Sequence, residues 1–360
     1  RLHHLPSILH HIRFNLLTSD NTTAILEHPL VREDPGSFEV IRNVIKKGNS
    51  NLKARLGVTM EMVMLSRKDV GSKELLFMNP QEGKFISCRY KPEDLPKYKA
   101  MTVTSDNNIY MLETKDFEDQ NQFSLFKYNH TQNTWEHEGM PSLFKGLNYD
   151  VKNCVEHLLE VDQSLYYIAD ECGPLLHMRK YNRHTNQWQE CSQLQFVKRV
   201  LTYSTTLACG SYIYIINSEE MHRYDPSQDR WSRRTPPMNI QDVCSAVAMG
   251  TEIFCTDEEF TQTMVYDTES DRWQKLRGWP NPGNLAIEEL PSLFVLENQL
   301  HILLTCRGDF QNRYKYLVYV YDRSADAWRD LKATLSDEFY IAYCSQSPVA
   351  RIYLPNLKEA

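Results

Sequence analysis

The chain has 360 residues, of which 41% are hydrophobic and 24% charged, a composition that can build an ordinary globular core. Its 47 acidic and 40 basic side chains give a formal net charge of −7, which disfavours sequence-independent binding to nucleic acid because such binding needs a basic surface. No apolar run reaches the roughly 18 residues that would span a bilayer. The nine cysteines are scattered and form no C-x-x-C pair, which favours reduced thiols in a cytosolic or nuclear protein.

Residues 1–55 are predicted to form short helices. The first helix carries apolar residues at spacings of three and four, which predicts one buried stripe. These residues are Leu5, Ile8, Leu9, Ile12, Leu16 and Leu17. A second short helix is predicted over residues 21–31, and a third follows it with Phe38, Ile41 and Ile45 on one inward face.

From residue 56 onward the apolar pattern changes to a period of two. Short apolar runs such as YIYII and LHILL alternate with polar segments rich in Asn, Asp, Ser and Pro. This alternation predicts many short strands joined by turns, so the rest of the chain is predicted to be all-β.

An aromatic frame recurs five times in this all-β region. Each copy has a Tyr and a Trp seven residues apart, with Asn or Asp directly after the Tyr. The pairs are Tyr128 and Trp135, Tyr181 and Trp188, Tyr224 and Trp231, Tyr266 and Trp273, and Tyr321 and Trp328. A weaker sixth copy has Met78 and Phe85 in these positions, and successive copies lie 42–55 residues apart. A repeat of this length predicts one supersecondary unit per copy.

The frame has the properties of a β-hairpin. We expect the Tyr to end one strand and the Trp to lie in the next, with a turn of Asn, Asp, Pro and Ser between them. The Asp or Asn after the Tyr can accept hydrogen bonds from backbone N–H groups of that turn. The Trp is predicted to pack between neighbouring repeats, because one repeat alone could not bury it.

This period and frame resemble the kelch repeat, which forms four-stranded blades of a β-propeller. The resemblance implies a six-bladed kelch-type propeller over residues 56–357, with repeats ending near Phe85 and the five repeat tryptophans. The chain departs from the kelch pattern in having no Gly-Gly pair, which indicates altered turns at strand ends. Residues 339–354 are predicted to complete the first blade, which is otherwise one strand short.

The segment Arg13–Leu17, with Phe14 and Leu16 inside it, resembles the end of a BACK domain. BACK followed by kelch is similar to the C-terminal part of the BTB-BACK-kelch (kelch-like) family. The resemblance implies that the chain is the substrate-recognition module of a Cullin-3 ubiquitin-ligase adaptor, and that a BTB domain outside these residues binds Cullin-3 and forms a homodimer. Because the chain begins with Arg, we expect it to be a fragment.

The resemblance also leaves an alternative, a non-ligase kelch scaffold that binds actin or another cytoskeletal protein. Both functions are binding functions, and neither needs a cofactor or a metal. We therefore expect a cytoplasmic protein that is not itself an enzyme, and that binds neither nucleic acid nor membrane.

In kelch propellers of this family, substrates dock on the face formed by the loops between strands b and c and between successive blades. The predicted b–c loops of blades 2 to 5 contain eleven acidic residues and one basic residue, Lys115. The acidic residues are Glu113, Asp116, Glu118, Asp119, Asp170, Glu171, Glu219, Glu220, Asp257, Glu258 and Glu259. Clustered carboxylates favour a Lys/Arg-rich protein partner. Alternatively, they only keep the propeller soluble.

The predicted b–c loop of blade 6 is long and of mixed charge. It contains Arg307, Asp309, Phe310 and Arg313, of which Arg and Phe are effective anchors in protein recognition. A solvated loop without a binding role is the alternative. Trp279, which lies outside the repeat frame, either packs between blades 5 and 6 or contacts a partner.

Overall fold

The computed structural model divides the chain into two compact units, Arg1–Val58 and Thr59–Ala360. It describes residues 19–32, 34, 36–39, 41, 59–67, 74–89, 98–117, 120–129, 134–137, 139–141, 143–144, 155–170, 175–182, 184–197, 204–238, 240, 242–282, 285–307, 314–333, 340–341 and 348–353. The predicted first helix and Ile45 lie outside these ranges. No helix within the described ranges is long and apolar enough to cross a membrane.

The first unit contains helix α1 (Ser19–Glu27), helix α2 (Pro29–Arg32) and a helical stretch at residues 36–39. The prediction of a third helix with an inward face is correct for Ile41, which is fully buried, and wrong for Phe38, which is 41% exposed. Ser37, four residues before Ile41, takes the buried position instead, and its side chain donates a hydrogen bond to Asp34. The buried face therefore runs through positions 37 and 41.

The second unit consists of six small antiparallel sheets, which confirms the six-bladed propeller. Blade 1 contains β1 (Thr59–Arg67), β2 (Glu74–Asn79) and β3 (Lys84–Arg89). Blade 2 contains β4 (Tyr98–Val103), β5 (Ile109–Phe117), β6 (Gln120–Asn129), β7 (Thr134–His137) and β8 (Leu143–Phe144). Blade 3 contains β9 (Val155–Val161), β10 (Ser164–Asp170), β11 (Leu175–Asn182), β12 (Gln187–Glu190) and β13 (Leu194–Gln195).

The remaining strands complete the ring. Blade 4 contains β14 (Thr205–Cys209), β15 (Tyr212–Ile216), β16 (Met221–Asp225) and β17 (Arg230–Arg234). Blade 5 contains β18 (Val243–Met249), β19 (Glu252–Asp257), β20 (Thr263–Asp267) and β21 (Arg272–Leu276). Blade 6 contains β22 (Ile287–Leu296), β23 (Gln299–Arg307), β24 (Tyr314–Asp322) and β25 (Ala327–Asp330). The last strands are β26 (Tyr340–Ile341) and β27 (Val349–Tyr353).

The end of the chain closes the ring, as predicted. β27 pairs with the first half of β1 and β26 with its last two residues, so the C-terminal segment supplies the innermost strand of blade 1. Asn107, in the β4–β5 turn of blade 2, accepts the backbone N–H of Arg351 at 2.7 Å and donates to its carbonyl at 2.8 Å. This clamp fastens the terminal strand to the neighbouring blade.

The core lies between the blades. Each of the six pairs of neighbouring blades shares one cluster of buried apolar side chains. The cluster between blades 6 and 1, for example, joins Phe294 and Val318 to Val63 and Leu76. Because every blade buries both of its faces against neighbours, the sheets are stable only as a closed ring.

The Tyr–Trp frame forms the outer hairpin of each blade. In all five copies the Tyr and Trp lie directly opposite each other on the third and fourth strands, with ring centroids 5.0–5.4 Å apart. Met78 and Phe85 are paired in the same way in blade 1. The prediction of a repeated aromatic hairpin is confirmed.

A second polar residue completes this hairpin, five positions after the Tyr. Its side-chain oxygen accepts the Tyr hydroxyl at 2.6 Å in blades 3 to 6, and its backbone has a positive φ of 45–55°. The residues are Asn186, Asp229, Asp271 and Asp326. Asn and Asp tolerate this left-handed conformation better than other side chains do. The recurrence of Asp or Asn two residues before each repeat Trp is the sequence signal for this role.

The hairpin also binds the preceding blade. In blade 4, Trp231 Nε1 donates to the carbonyl of Ser192 at 2.7 Å, and Asp229 accepts the backbone N–H of the same Ser192 at 2.8 Å. In blade 5, Trp273 Nε1 and Asp271 make the same two bonds to Thr235. Each of these repeats therefore stabilises the junction with its neighbour through polar as well as apolar contacts.

Candidate functional site

The connections between the second and third strands of a blade (b–c) lie at one end of that blade. The connections from the last strand of one blade to the first strand of the next (d–a) lie at the same end, because successive antiparallel strands alternate in direction. Together they form one face of the propeller, which we call the b–c face. In the described part of the chain, residues 217–220 of blade 4 and 258–262 of blade 5 are complete b–c connections.

In blade 4, the two predicted acidic residues have different environments. Asn217 Oδ1 accepts the backbone N–H groups of Glu219 at 2.9 Å and Glu220 at 2.6 Å, which fixes the turn. The Glu219 side chain is exposed, whereas Glu220 is only 3% exposed. Glu220 accepts the backbone N–H of Val197 at 3.0 Å and lies 2.8 Å from His222 Nε2.

Glu220 is therefore an internal link between the b–c turn of blade 4 and the preceding d–a connection. Buried carboxylates need hydrogen-bond partners, and here those partners come from the protein itself. The charge pattern of the sequence could not show this, because Glu219 and Glu220 are adjacent and chemically alike.

In blade 5, Asp257 is likewise engaged within its own turn. One carboxylate oxygen accepts the backbone N–H of Thr261 at 2.7 Å and that of Gln262 at 3.2 Å, and the other accepts the Thr261 hydroxyl. Asp257 is 9% exposed, so its carboxylate stabilises the turn. Glu258 and Glu259 follow it and are exposed.

Phe260 anchors the turn that presents Glu258 and Glu259. It adopts a positive φ of 52° and is 1% exposed, with its ring 5.8 Å from Trp279 and 5.1 Å from Trp328. Trp279 itself is buried in the core between blades 5 and 6, so the packing alternative for this residue is confirmed. The two glutamates therefore project from a fixed support.

The other predicted site residues have diverse positions. Glu113 and Asp116 lie inside strand β5, and Asp170 is the last residue of β10, because these hairpins are longer than their sequences indicate. Arg307, the last residue of β23, is exposed on the b–c face with Nη1 3.7 Å from Glu288. Glu118, Asp119, Glu171, Asp309, Phe310 and Arg313 lie outside the described residues.

Exposed apolar side chains occur on the same face, and the sequence analysis missed them. Among the described residues of the propeller, the exposed large hydrophobic side chains are Leu175, Val197, Met238 and Leu290. Val197 and Met238 lie in d–a connections and are 77% and 68% exposed. Their signal in the sequence is an apolar residue outside the strand alternation, between a repeat Trp and the next strand.

The b–c face of blades 4 and 5 thus combines exposed carboxylates with exposed apolar groups. Glu219, Glu258 and Glu259 supply negative charge, and Val197 and Met238 supply apolar area. A surface of this kind can bind a protein, because apolar contacts contribute affinity and the charges select the partner.

Comparison with known proteins shows relatives along most of the chain. Kelch repeat and BTB domain-containing protein 8 of Homo sapiens is 22% identical to this chain, over 97% of this chain and 60% of that protein. The protein of the same name from Xenopus tropicalis is 23% identical, over 91% of this chain and 58% of that protein. This chain spans about 60% of the length of these relatives. Kelch-like protein 35 of Mus musculus is 23% identical over 35% of this chain and 22% of that protein.

Structural comparison supports the fold alone. A solved structure from Bacteroides fragilis, titled a "putative 6-phosphogluconolactonase", has a TM-score of 0.52 and 11% identity, and covers 84% of this chain and 100% of that one. No protein-family model matches the chain. The aromatic repeat, the six closed blades and the relatives agree: this chain is a homologue of the Kelch repeat and BTB domain-containing and Kelch-like proteins, with a kelch-type six-bladed propeller.

Proposed function

We propose that this chain is the substrate-recognition part of a Cullin-3 ubiquitin-ligase adaptor, and that it captures a protein substrate on the b–c face of its propeller. The observation that carries this proposal is the similarity over 97% of the chain to a protein named for both kelch repeats and a BTB domain. The binding of Cullin-3 and the formation of a homodimer are assigned to a BTB domain outside these 360 residues. In this role the chain binds and positions a substrate but catalyses no reaction.

The substrate is proposed to present a basic surface with apolar side chains. Glu219, Glu258 and Glu259 are exposed on the b–c face, and their combined field attracts Lys and Arg and accelerates association. Val197 and Met238 offer apolar area in the neighbouring connections. Glu220 and Asp257 support this surface from within, since their oxygens are engaged in the turns.

The ligase role is tested by affinity purification from cells, comparing the endogenous protein with the isolated 360-residue chain. We expect Cullin-3 to co-purify with the endogenous protein only, and the same substrate to co-purify with both. Actin or another cytoskeletal protein with both samples, and Cullin-3 with neither, would favour a non-ligase kelch scaffold.

The site is tested separately by reversing charge on the b–c face. Glu258→Lys combined with Glu259→Lys should weaken binding of the captured substrate at least tenfold. Glu269→Lys is the matched control, because Glu269 is exposed in the β20–β21 turn at the opposite end of the same blade. Equal binding by both variants would mean that the acidic loops contribute solubility and not recognition.

A further inference from the structure

The outer edge of blade 4 carries an unusual concentration of arginines. Strand β17, the last strand of its sheet, contains three arginines and no carboxylate, and in the described part of the chain no further strand pairs with its outer edge. The outer strands β7, β12 and β25 each contain an acidic residue, namely Glu136, Glu190 and Asp330. The outer strands β3 and β21 also contain no carboxylate, with two basic residues each, so β17 with three arginines is the most basic of the described outer strands in a chain whose net charge is −7.

Three of the arginines share the side of blade 4 that faces blade 5. Arg223 on β16 lies opposite Ser232, and Arg230 and Arg234 lie two residues to either side of Ser232 on β17. Since alternate residues of a strand point to the same face, the three arginines lie on one face of the two strands, and we call them the arginine cluster. The aromatic ring of Tyr212 supports this cluster, because the Arg223 guanidinium carbon lies over it at 4.3 Å from the ring centroid.

Two of these guanidinium groups have unsatisfied hydrogen-bonding capacity. The Nε atoms of Arg223 and Arg234 are buried and have no hydrogen-bond partner among the described residues. Within the same ranges neither arginine forms an ion pair, whereas Arg179 on blade 3 pairs with Glu190 and Arg323 on blade 6 pairs with Glu252. Both arginine side chains are partly exposed, so an incoming carboxylate could form charge-assisted hydrogen bonds with their guanidinium groups.

Two carboxylates that attract these arginines, Asp225 near Arg223 and Asp271 near Arg234, are already engaged in hydrogen bonds. Asp225 accepts hydrogen bonds from the backbone and hydroxyl of Ser227, and Asp271 accepts the hydroxyl of Tyr266. Asp271 also accepts the backbone N–H of Thr235, next to Arg234, but in the described part of the chain neither aspartate forms an ion pair with the arginine cluster.

We propose that the outer edge of β17 binds an extended segment of a protein partner in which acidic residues occupy alternate positions. Such a segment would add a fifth strand to blade 4 through backbone hydrogen bonds. Its side chains at positions i, i+2 and i+4 would share the face of Arg230, Ser232 and Arg234, at the spacing of about 4.8 Å between neighbouring strands. The site lies on the outer edge of blade 4 and has the opposite charge to the b–c face that its last residue, Arg234, adjoins, so it does not depend on the function proposed above.

The test uses the full 360-residue chain and a fluorescein-labelled ten-residue peptide in which Glu and Thr alternate. Fluorescence polarisation should show that the chain binds this alternating peptide. A block peptide of five Thr followed by five Glu should bind at least tenfold more weakly. Arg223→Gln combined with Arg234→Gln should weaken binding of the alternating peptide at least tenfold. Arg179→Gln is the matched control and should leave that affinity unchanged, because Glu190 already neutralises Arg179.

If the double variant proves unstable, Arg234→Lys takes its place in the test. It keeps the positive charge but removes the Nε donor, so its affinity for the alternating peptide should be lower than that of the unmodified chain. Two results would overturn the proposal. One is equal affinity for the alternating and the block peptide, which would show unspecific attraction between charges. The other is unchanged affinity in both the double variant and Arg234→Lys.

Discussion

The hydroxyl of Tyr224 donates a hydrogen bond of 2.6 Å to Asp229, and the same carboxylate oxygen accepts the backbone N–H of Ser192 in the preceding blade. One side chain thus joins the aromatic pair of its own hairpin to the neighbouring repeat. The equivalent contacts of Asp271 with Tyr266 and Thr235 show that this is a property of the repeat.

Replacement of Asp229 should therefore destabilise the propeller without removing any apolar side chain. Asp229→Ala loses both bonds and places Ala at a φ of 47°, so we expect a loss of about 2 kcal/mol in the free energy of unfolding. Asp229→Asn retains an acceptor and tolerates the same backbone, so its loss should be smaller. Urea denaturation measures both, and equal stability of Asp229→Ala and the parent chain would contradict this role.

Acid should weaken the same junctions. Partial burial would raise the pKa of Asp229, but the hydrogen bonds from Ser192 and Tyr224 outweigh it and hold that pKa below its usual value. The pKa of Asp271 is lowered in the same way, against burial, by Tyr266 and Thr235. A carboxylate with a lower pKa in the folded state stabilises the fold above its unfolded pKa of about 3.9, and that stabilisation is lost as the pH falls towards the folded value.

Thermal unfolding between pH 6 and pH 2 measures this effect. We expect a decline below about pH 4 in the parent chain, and a shallower decline when Asp229→Asn and Asp271→Asn are combined, because the two titrating groups are then absent. The same pH dependence in both proteins would show that these two carboxylates do not contribute to it.

Closure of the ring depends on Asn107 and the terminal strand. Asn107→Ala removes the two bonds to the Arg351 backbone and should lower the free energy of unfolding by about 2 kcal/mol. Asn107→Asp keeps the acceptor for the Arg351 N–H and loses the donor. Its free energy of unfolding should therefore lie between those of Asn107→Ala and the unmodified chain. Removal of residues 348–360 should abolish cooperative unfolding, because β1 then loses its inner partner. Cooperative unfolding of the truncated chain would contradict closure by β27.

Trp279 should affect stability and not recognition. It packs against Phe260 and Tyr319 in the core between blades 5 and 6, so Trp279→Ala should cost about 3–5 kcal/mol. Trp279→Phe keeps most of the apolar contact and should cost less. Denaturation curves give both values, and a loss of substrate binding by a fully stable Trp279→Phe variant would assign the residue to the interface instead.

The sequence predicted the fold more fully than the site, for a physical reason. The Tyr–Trp frame indicates the pairing register of the third and fourth strands of a blade. Two aromatic residues seven positions apart can lie opposite each other only across a hairpin of one length. The closing strand was also predictable, since β1 lacked an inner partner. The charge of an acidic loop residue does not indicate whether its side chain is buried. Glu219 and Glu220 carry the same charge, but only Glu220 binds the backbone N–H of Val197, in the preceding d–a connection, and it is the buried one.

These two glutamates therefore provide the sharpest test of the b–c face. Glu220→Ala leaves the Val197 N–H without its acceptor and His222 without its carboxylate, so we expect a loss of about 1–3 kcal/mol in the free energy of unfolding. Glu220→Gln keeps an acceptor for Val197 and should lose less. Glu219→Ala should change stability by no more than about 0.5 kcal/mol, because its side chain is exposed.

Substrate binding should show the opposite order. Glu219→Lys reverses a charge on the proposed recognition surface and should weaken binding while stability is retained, whereas Glu220→Gln should bind as the parent chain does wherever it is folded. Urea denaturation and a binding titration on the same preparations measure both properties. If the binding loss followed Glu220 and not Glu219, recognition would depend on the conformation of the Val197 connection and not on the charge of the turn.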